Sequence, residues 1–285
     1  MSPISNKSSG AQFENERIVA PEAKRLLRKT RPIYLLPKGR SERDLKALGS
    51  GFFLRYLNRT VLVTASHVTR ELEFGDLYVP TTGGSIESIG GRFYHTGLRS
   101  QPAEADRIDL AFIELPAELA ARLPRDDYFT AAECDVADSF HEKSHYLICG
   151  WPGKRNQPNP WKPGSLPRAP ISYLDSAHPP AAYAKYDLSP STHYAVRFDP
   201  KRVMDDQGCL IRPPLLFGVS GSPCLFFHRY ASRTDLQTLR IPKLVGVTIE
   251  VEKDAVVATR ISLLFQLLKQ CFEPSQAGAR DLTGD

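Results

Sequence analysis

Residues 61–68 read Val-Leu-Val-Thr-Ala-Ser-His-Val, an apolar run that ends on an imidazole, His67. Val and Thr are stiff at χ1 and suit a pleated strand better than a helix. A strand over Thr60–Ala65 therefore carries His67 at its mouth. Runs of the same kind flank it. Upstream lie Ile33–Leu36 and Gly51–Leu57; downstream lie Leu77–Pro80 and Gly91–His95. Asp109–Leu115, Asp-Leu-Ala-Phe-Ile-Glu-Leu, follows with a carboxylate at the lip of an apolar strand, and Pro116 closes it.

Beyond residue 116 comes a polar connection, helical in part over Ala-Glu-Leu-Ala-Ala-Arg-Leu, and then a second set of strands. These are His145–Gly150, Tyr194–Phe198, Pro223–Phe227, Leu244–Val251 and Val256–Ile261. Ser262 is placed to cap a terminal helix whose Leu263, Leu264, Leu267, Leu268 and Cys271 share one face. Residues 152–181 are dense in proline and read as an irregular excursion, too long for a hairpin loop. At the other end, residues 1–20 are polar and aperiodic, and Pro21–Arg31 reads as a short helix stopped by Pro32. Two groups of short strands, a connector and a closing helix suggest two β-barrels side by side, one all-β arrangement among several.

The 285 residues suffice for two such units, and 41% apolar with 24% charged residues is ordinary globular composition. No apolar run approaches the ~20 residues needed to span a bilayer. The net charge of +5 resides in residues 22–44, which hold Lys24, Arg25, Arg28, Lys29, Arg31, Lys38, Arg40 and Arg43 against Glu22, Glu42 and Asp44. So small an excess reads as a solvated helix face or arm, and neither a nucleic-acid nor a membrane partner is expected. The cysteines at 134, 149, 209, 224 and 271 are odd in number and form no CxxC pair, which leaves zinc-ribbon and redox readings without support. The opening residues lack an apolar signal region, and reduced thiols fit a cytoplasmic location.

A third segment completes a pattern. Gly218-Val219-Ser220-Gly221-Ser222-Pro223 is a tight glycine-rich turn that presents a hydroxyl. With Thr64-Ala65-Ser66-His67 and Asp109-Leu110-Ala111, it resembles the trypsin/chymotrypsin-like serine peptidases, whose signatures are TA-x-H, D-[IL]-A-x-x-x-L and G-x-S-G-[GS]-P. All three occur in the family's order, 42 positions separating His67 from Asp109 and 111 separating Asp109 from Ser220. Leu48-Gly49-Ser50-Gly51-Phe52-Phe53-Leu54 is similar to the strand before the histidine in bacterial, HtrA-like members, and Leu244-Val245-Gly246-Val247-Thr248 to the strand after the serine turn. The likeness covers roughly residues 33–272 and concerns the catalytic unit alone, with no PDZ module expected after the final helix.

The resemblance implies an all-β fold of two packed, antiparallel, six-stranded barrels with a C-terminal helix. Residues 1–32 would be an arm with a short helix and 33–130 the first barrel, with His67 and Asp109. Residues 131–273 would be the second barrel, with Ser220 and the helix, and 274–285 a polar tail. It implies an intracellular serine endopeptidase acting on a protein or peptide through an acyl-enzyme, without metal or organic cofactor. A serine hydroxyl is a weak nucleophile at neutral pH and needs a base within hydrogen-bonding reach. His67 would be that base, Asp109 would orient it, and the N–H groups of Gly218 and Ser220 would hold the oxyanion. Thr248, Ile249 and Glu250 would line the substrate, with Thr248 also bonded to Asp109. Arg212–Phe217 would border the specificity pocket and supplies no acid for a basic substrate residue.

The pattern departs from the family at Val219, where zymogen-type members carry an Asp that pairs with a new N-terminus. The site is then either permanently formed or set by an activating partner or a ligand. Val68 replaces the cysteine that follows the histidine in secreted relatives, so Cys149, Cys209 and Cys224 read as small buried apolar residues. The competing reading is a protease-fold regulatory or binding module with a latent site, closed by the proline-rich excursion.

Overall fold

The computed structural model describes residues 21, 23–81, 86–97, 106–137, 145–158, 166, 169–212, 216–227, 242–252 and 254–273. The N-terminal 20 residues, the polar tail, part of the proline-rich excursion and residues 213–215 lie outside them. Among the described residues, the β-branched and aromatic runs fold into two curled sheets of eight and seven strands, antiparallel but for one pair. No described helix is long and apolar enough to cross a membrane.

The first sheet comprises β1 (Thr30–Pro37), β2 (Lys46–Tyr56), β3 (Arg59–Ala65), β4 (Gly75–Pro80), β5 (Ile86–Ser88), β6 (Phe93–His95), β7 (Leu110–Glu114) and β8 (Tyr128–Thr130). Its order is β5-β4-β1-β2-β3-β7-β6, with β8 added in parallel to β2. The second comprises β9 (His145–Gly150), β10 (Ile171–Ser176), β11 (His193–Arg197), β12 (Val203–Met204), β13 (Pro223–Phe227), β14 (Lys243–Val251) and β15 (Ala255–Arg260), in the order β11-β15-β14-β13-β9-β10-β12. The all-β, double-barrel architecture is the expected one, with more strands per barrel than six. Four strands lie outside the runs that the sequence marks, and three of them, β5, β8 and β12, are two or three residues long, too short to show a period. The fourth, β10, emerges from the proline-rich excursion as soon as Pro170 is passed. Asn156 closes the neck of that excursion, its amide bonded to Ala169 O at 3.1 Å and its Oδ1 to Ala169 N at 3.0 Å.

Strand alternation sorts side chains between two cores. Ile33, Phe53, Leu62 and Ile113 fill the interior of the first barrel. Their neighbours Phe52, Leu54, Val61, Val63 and Phe112 face the other way and meet Leu147, Cys149, Leu225 and Val247 of the second sheet. The C-terminal helix, Ile261–Phe272, sets Leu264 and Leu268 into that shared core, where Leu26 and Leu27 from the helical residues 23–27 join them. The helix is capped by the backbone of Arg260, and Ser262 lies inside its first turn. The reason is that β15 runs straight into the helix, leaving no loop residue to act as a side-chain cap.

The basic N-terminal segment is not all solvated surface. Lys29 is buried, with its Nζ 2.6 Å from Glu133 Oε1 and 2.9 Å from Tyr128 O. Arg31 is buried as well, 2.6 Å from Asp127 Oδ2. The expected helix is shorter than Pro21–Arg31, because Thr30 and Arg31 already belong to β1. None of the five cysteines forms a disulfide; Cys149 and Cys224 are fully buried as expected, but Cys209 is exposed. It closes a turn in which Asp205 Oδ1 accepts the N–H of both Gln207 and Cys209, and such turns sit on the surface.

Candidate active site

β3 ends at Ala65 and passes directly into the short helix Ser66–Arg70, which lifts His67 out of the sheet. β7, paired to β3 through Ala65 and Leu110, starts one residue after Asp109. The two motifs therefore sit side by side at one end of adjacent strands. Asp109 Oδ2 lies 2.7 Å from His67 Nδ1, and Asp109 Oδ1 accepts the His67 backbone N–H at 2.8 Å. A carboxylate only accepts, so Nδ1 carries the ring proton and Nε2 presents a lone pair.

Asp109 adopts φ +48°, a left-handed conformation that Asp tolerates better than most residues. Asp106 Oδ1 accepts the Asp109 N–H at 3.1 Å, the Asp109 carbonyl accepts from Ser66 N at 2.9 Å, and Thr96 Oγ1 donates to Asp106 Oδ2 at 2.8 Å. Sequence reading passed over Asp106 and Thr96. Their only signal is an acid three residues before Asp109, the spacing of a side chain that bonds backbone locally.

Ser220 sits on the turn before β13, and this turn is docked on the first sheet by backbone. Its carbonyl accepts the Ser50 N–H at 2.8 Å, Ser50 Oγ donates to Gly218 O at 2.8 Å, and Thr64 Oγ1 donates to Ser50 O at 2.8 Å. Ser50 and Thr64 lie on β2 and β3, so the serine turn rests on the strands that lead to His67. Gly221, at φ +87°, packs so tightly there that a Cβ would overlap Ser50 O and Thr64 Oγ1. Only glycine satisfies both the conformation and the space. Ser220 Oγ makes no hydrogen bond to His67 among the described residues.

The backbone of the turn has a definite polarity. Val219 N donates to Leu216 O and Ser222 N to Val219 O, each at 3.0 Å. The N–H groups of Gly218 and Ser220 have no partner among the described residues. Phe217 O accepts from Gly153 N at 2.7 Å, and a trans peptide then turns the Gly218 N–H away from that contact. Val219 is 1% exposed among apolar side chains that include Tyr146 and Ile148. Apolar packing fills this position and leaves no room for an ion pair.

Of the three residues expected to line a substrate, Thr248 holds the serine turn through its backbone. Its N–H donates to Ser222 O at 2.8 Å and its carbonyl accepts from Gly221 N at 2.6 Å, so its backbone secures the serine turn. Its hydroxyl is buried opposite Ala258 and has no hydrogen-bond partner among the described residues, which removes the expected bond to Asp109. Ile249 is buried against the cluster that contains Ala65 and Val68 on either side of His67. Glu250 follows at a bulge and is exposed. Beyond Val247, β13 no longer pairs with β14, so the second edge of Ile249–Val251 is open among the described residues.

Burial alone would lower the pKa of His67. The hydrogen bond and charge of Asp109, with Glu250 and Glu71 adding, outweigh that and raise it above 6.5. Glu250 is itself pushed up, by burial and by the charges of Glu252 and Asp109. Acidic groups thus surround the imidazole.

Two curled antiparallel sheets with a C-terminal helix define the trypsin-like double-barrel fold. The chain is similar in structure to a serine endoprotease from Yersinia pestis, with a TM-score of 0.50 at 13% sequence identity, over 95% of this chain and 67% of that one. Comparison with models of known protein families returns no match, and comparison with curated proteins returns none. The likeness is one of fold.

Proposed function

We propose that the chain is a serine endopeptidase whose site is His67, Asp109 and Ser220. The observation that carries this reading is the double contact of Asp109 on His67, 2.7 Å to the ring and 2.8 Å to the backbone, beside a serine turn hooked onto the same strands. In this mechanism Ser220 Oγ attacks the scissile carbonyl carbon and its proton passes to His67 Nε2. The carbonyl oxygen becomes an oxyanion, for which the Gly218 and Ser220 N–H groups are the donors. The C–N bond breaks as His67 returns the proton to the leaving amine. Water then attacks the acyl ester by the same route in reverse, and Ser220 is restored.

The substrate is a protein or peptide. An extended backbone would add to the open edge of Ile249–Val251, which favours an internal segment of chain. With Val219 packed among apolar groups, the site does not depend on an ion pair to a new N-terminus. Cysteines without disulfides fit a reducing compartment inside a cell.

The test is covalent. A fluorophosphonate probe should label the protein, and Ser220→Ala should abolish the label; undiminished labelling of that variant rejects Ser220 as nucleophile.

A further inference from the structure

The loop that carries Asp109 belongs to the first sheet, yet the second sheet grips it. Strand register sets His193 of β11 directly opposite Thr259 of β15, so both side chains stand on one face. His193 Nε2 lies 2.8 Å from the carbonyl oxygen of Arg107. Thr259 Oγ1 donates to the carbonyl oxygen of Ile108 at 2.7 Å. One cross-strand pair thus bonds the two consecutive carbonyls that precede Asp109.

Both donors are interior, His193 at 2% exposure and Thr259 at 0%. A carbonyl only accepts, so His193 Nε2 carries a proton, while Thr192 Oγ1, which donates to Ser189 O at 3.2 Å, lies 2.8 Å from Nδ1. Burial pushes the His193 pKa below 6.5, and the charges of Arg107 and Arg260 act in the same sense, against its bonds to the carbonyls of Arg107 and Ser189. A neutral ring still donates from Nε2 to the Arg107 carbonyl. Asp109, meanwhile, holds a left-handed conformation, which for a non-glycine residue relaxes unless its surroundings prevent it. The first sheet restrains its N–H and carbonyl; the second restrains the two peptide units before it.

We propose that His193 and Thr259 are positioning residues, which hold Asp109 in its strained conformation and thereby keep its carboxylate on His67. The inference rests on the reading of His67 and Asp109 as base and orienting acid. Its consequence is that the acid is aligned by the sheet that bears Ser220, so the site is complete only when the two barrels are docked.

The experiment follows the His67 ring titration by nitrogen-15 NMR, assigned by its loss in His67→Gln, together with the rate of fluorophosphonate labelling. Thr259→Val keeps the shape and removes the donor, whereas Thr259→Ser keeps the donor. His193→Ala removes the other donor, and His193→Gln restores an N–H near the same place. In Thr259→Val and His193→Ala the His67 midpoint should fall towards 6.5, and labelling should slow by about tenfold, the effect of one lost hydrogen bond. Thr259→Ser and His193→Gln should hold both close to wild type. Wild-type midpoints and rates in folded Thr259→Val and His193→Ala overturn the proposal, as do serine and glutamine variants no better than valine and alanine. If either position fails to fold, the other pair decides. The titration needs no turnover, so it stands even if Ser220→Ala keeps its label and the peptidase reading fails.

Discussion

On the first sheet His67 is fixed by its own side chain, which one carboxylate bonds at the ring while also holding the backbone N–H. On the second, Ser220 is fixed without its side chain, through its carbonyl on Ser50 and through Gly221 pressed against Ser50 and Thr64. The difference lies in what a substitution can reach. In the histidine half, a change of functional group removes an interaction and leaves the chain in place. In the serine half the chain itself is the interaction, and an added Cβ is the damaging change.

The largest expected effect is in the histidine half. Asp109→Asn keeps the shape but favours the wrong tautomer of His67, and labelling and peptide turnover should fall by about 10⁴-fold with the fold intact by circular dichroism. A loss under tenfold would show that the contact is structural only. Next is Gly221→Ala, which forces the turn off Ser50. Labelling should drop by about 10²–10³-fold, the size of a lost oxyanion donor, and stability should fall by about 2–4 kcal/mol in a urea melt. Wild-type behaviour there would erase the contrast between the halves.

Ser50→Ala sharpens the comparison, because Ser50 is where the halves touch. Its Oγ donates to Gly218 O at 2.8 Å and accepts the Trp151 N–H at 2.9 Å. Without it, stability should decline by about 2 kcal/mol and labelling by about tenfold. The smallest effect is in pH. The proposed base is neutral His67, so the acid limb of kcat/KM should have its midpoint above 6.5. Stability runs the opposite way. A raised folded-state pKa contributes stability that is fully present below 6.5 and is lost as pH rises through the folded value. Urea midpoints of wild type and His67→Gln should therefore differ more at acid than at alkaline pH; an unchanged difference would break the link.

The residues of the site were legible because each polar group ends or begins a strand that the apolar pattern marks, as Ala65 marks His67 and Leu110 marks Asp109. The supports were less so. Ser50 stands in a stretch that the family likeness singles out, yet nothing local announces its bonds to residues 151 and 218. Thr248 reads as an Asp109 contact until burial leaves its hydroxyl without a partner among the described residues. Lys29 and Arg31 read as solvated cations because their acids, Glu133 and Asp127, lie about a hundred positions away. They show that the sign of a local charge run says little about where its members end up.

Periodicity and motif by themselves marked most of the two sets of strands, the closing helix and the imidazole, carboxylate and hydroxyl proposed for the site, since side-chain alternation and turn chemistry are local properties. Only the tertiary structure decided the eight and seven strands, the burial of two cations and the grip of His193 and Thr259 on the Asp109 loop. Those depend on which backbone carbonyls meet across the barrels, and a carbonyl is the same at every residue, so the chain carries no mark of it until it is folded.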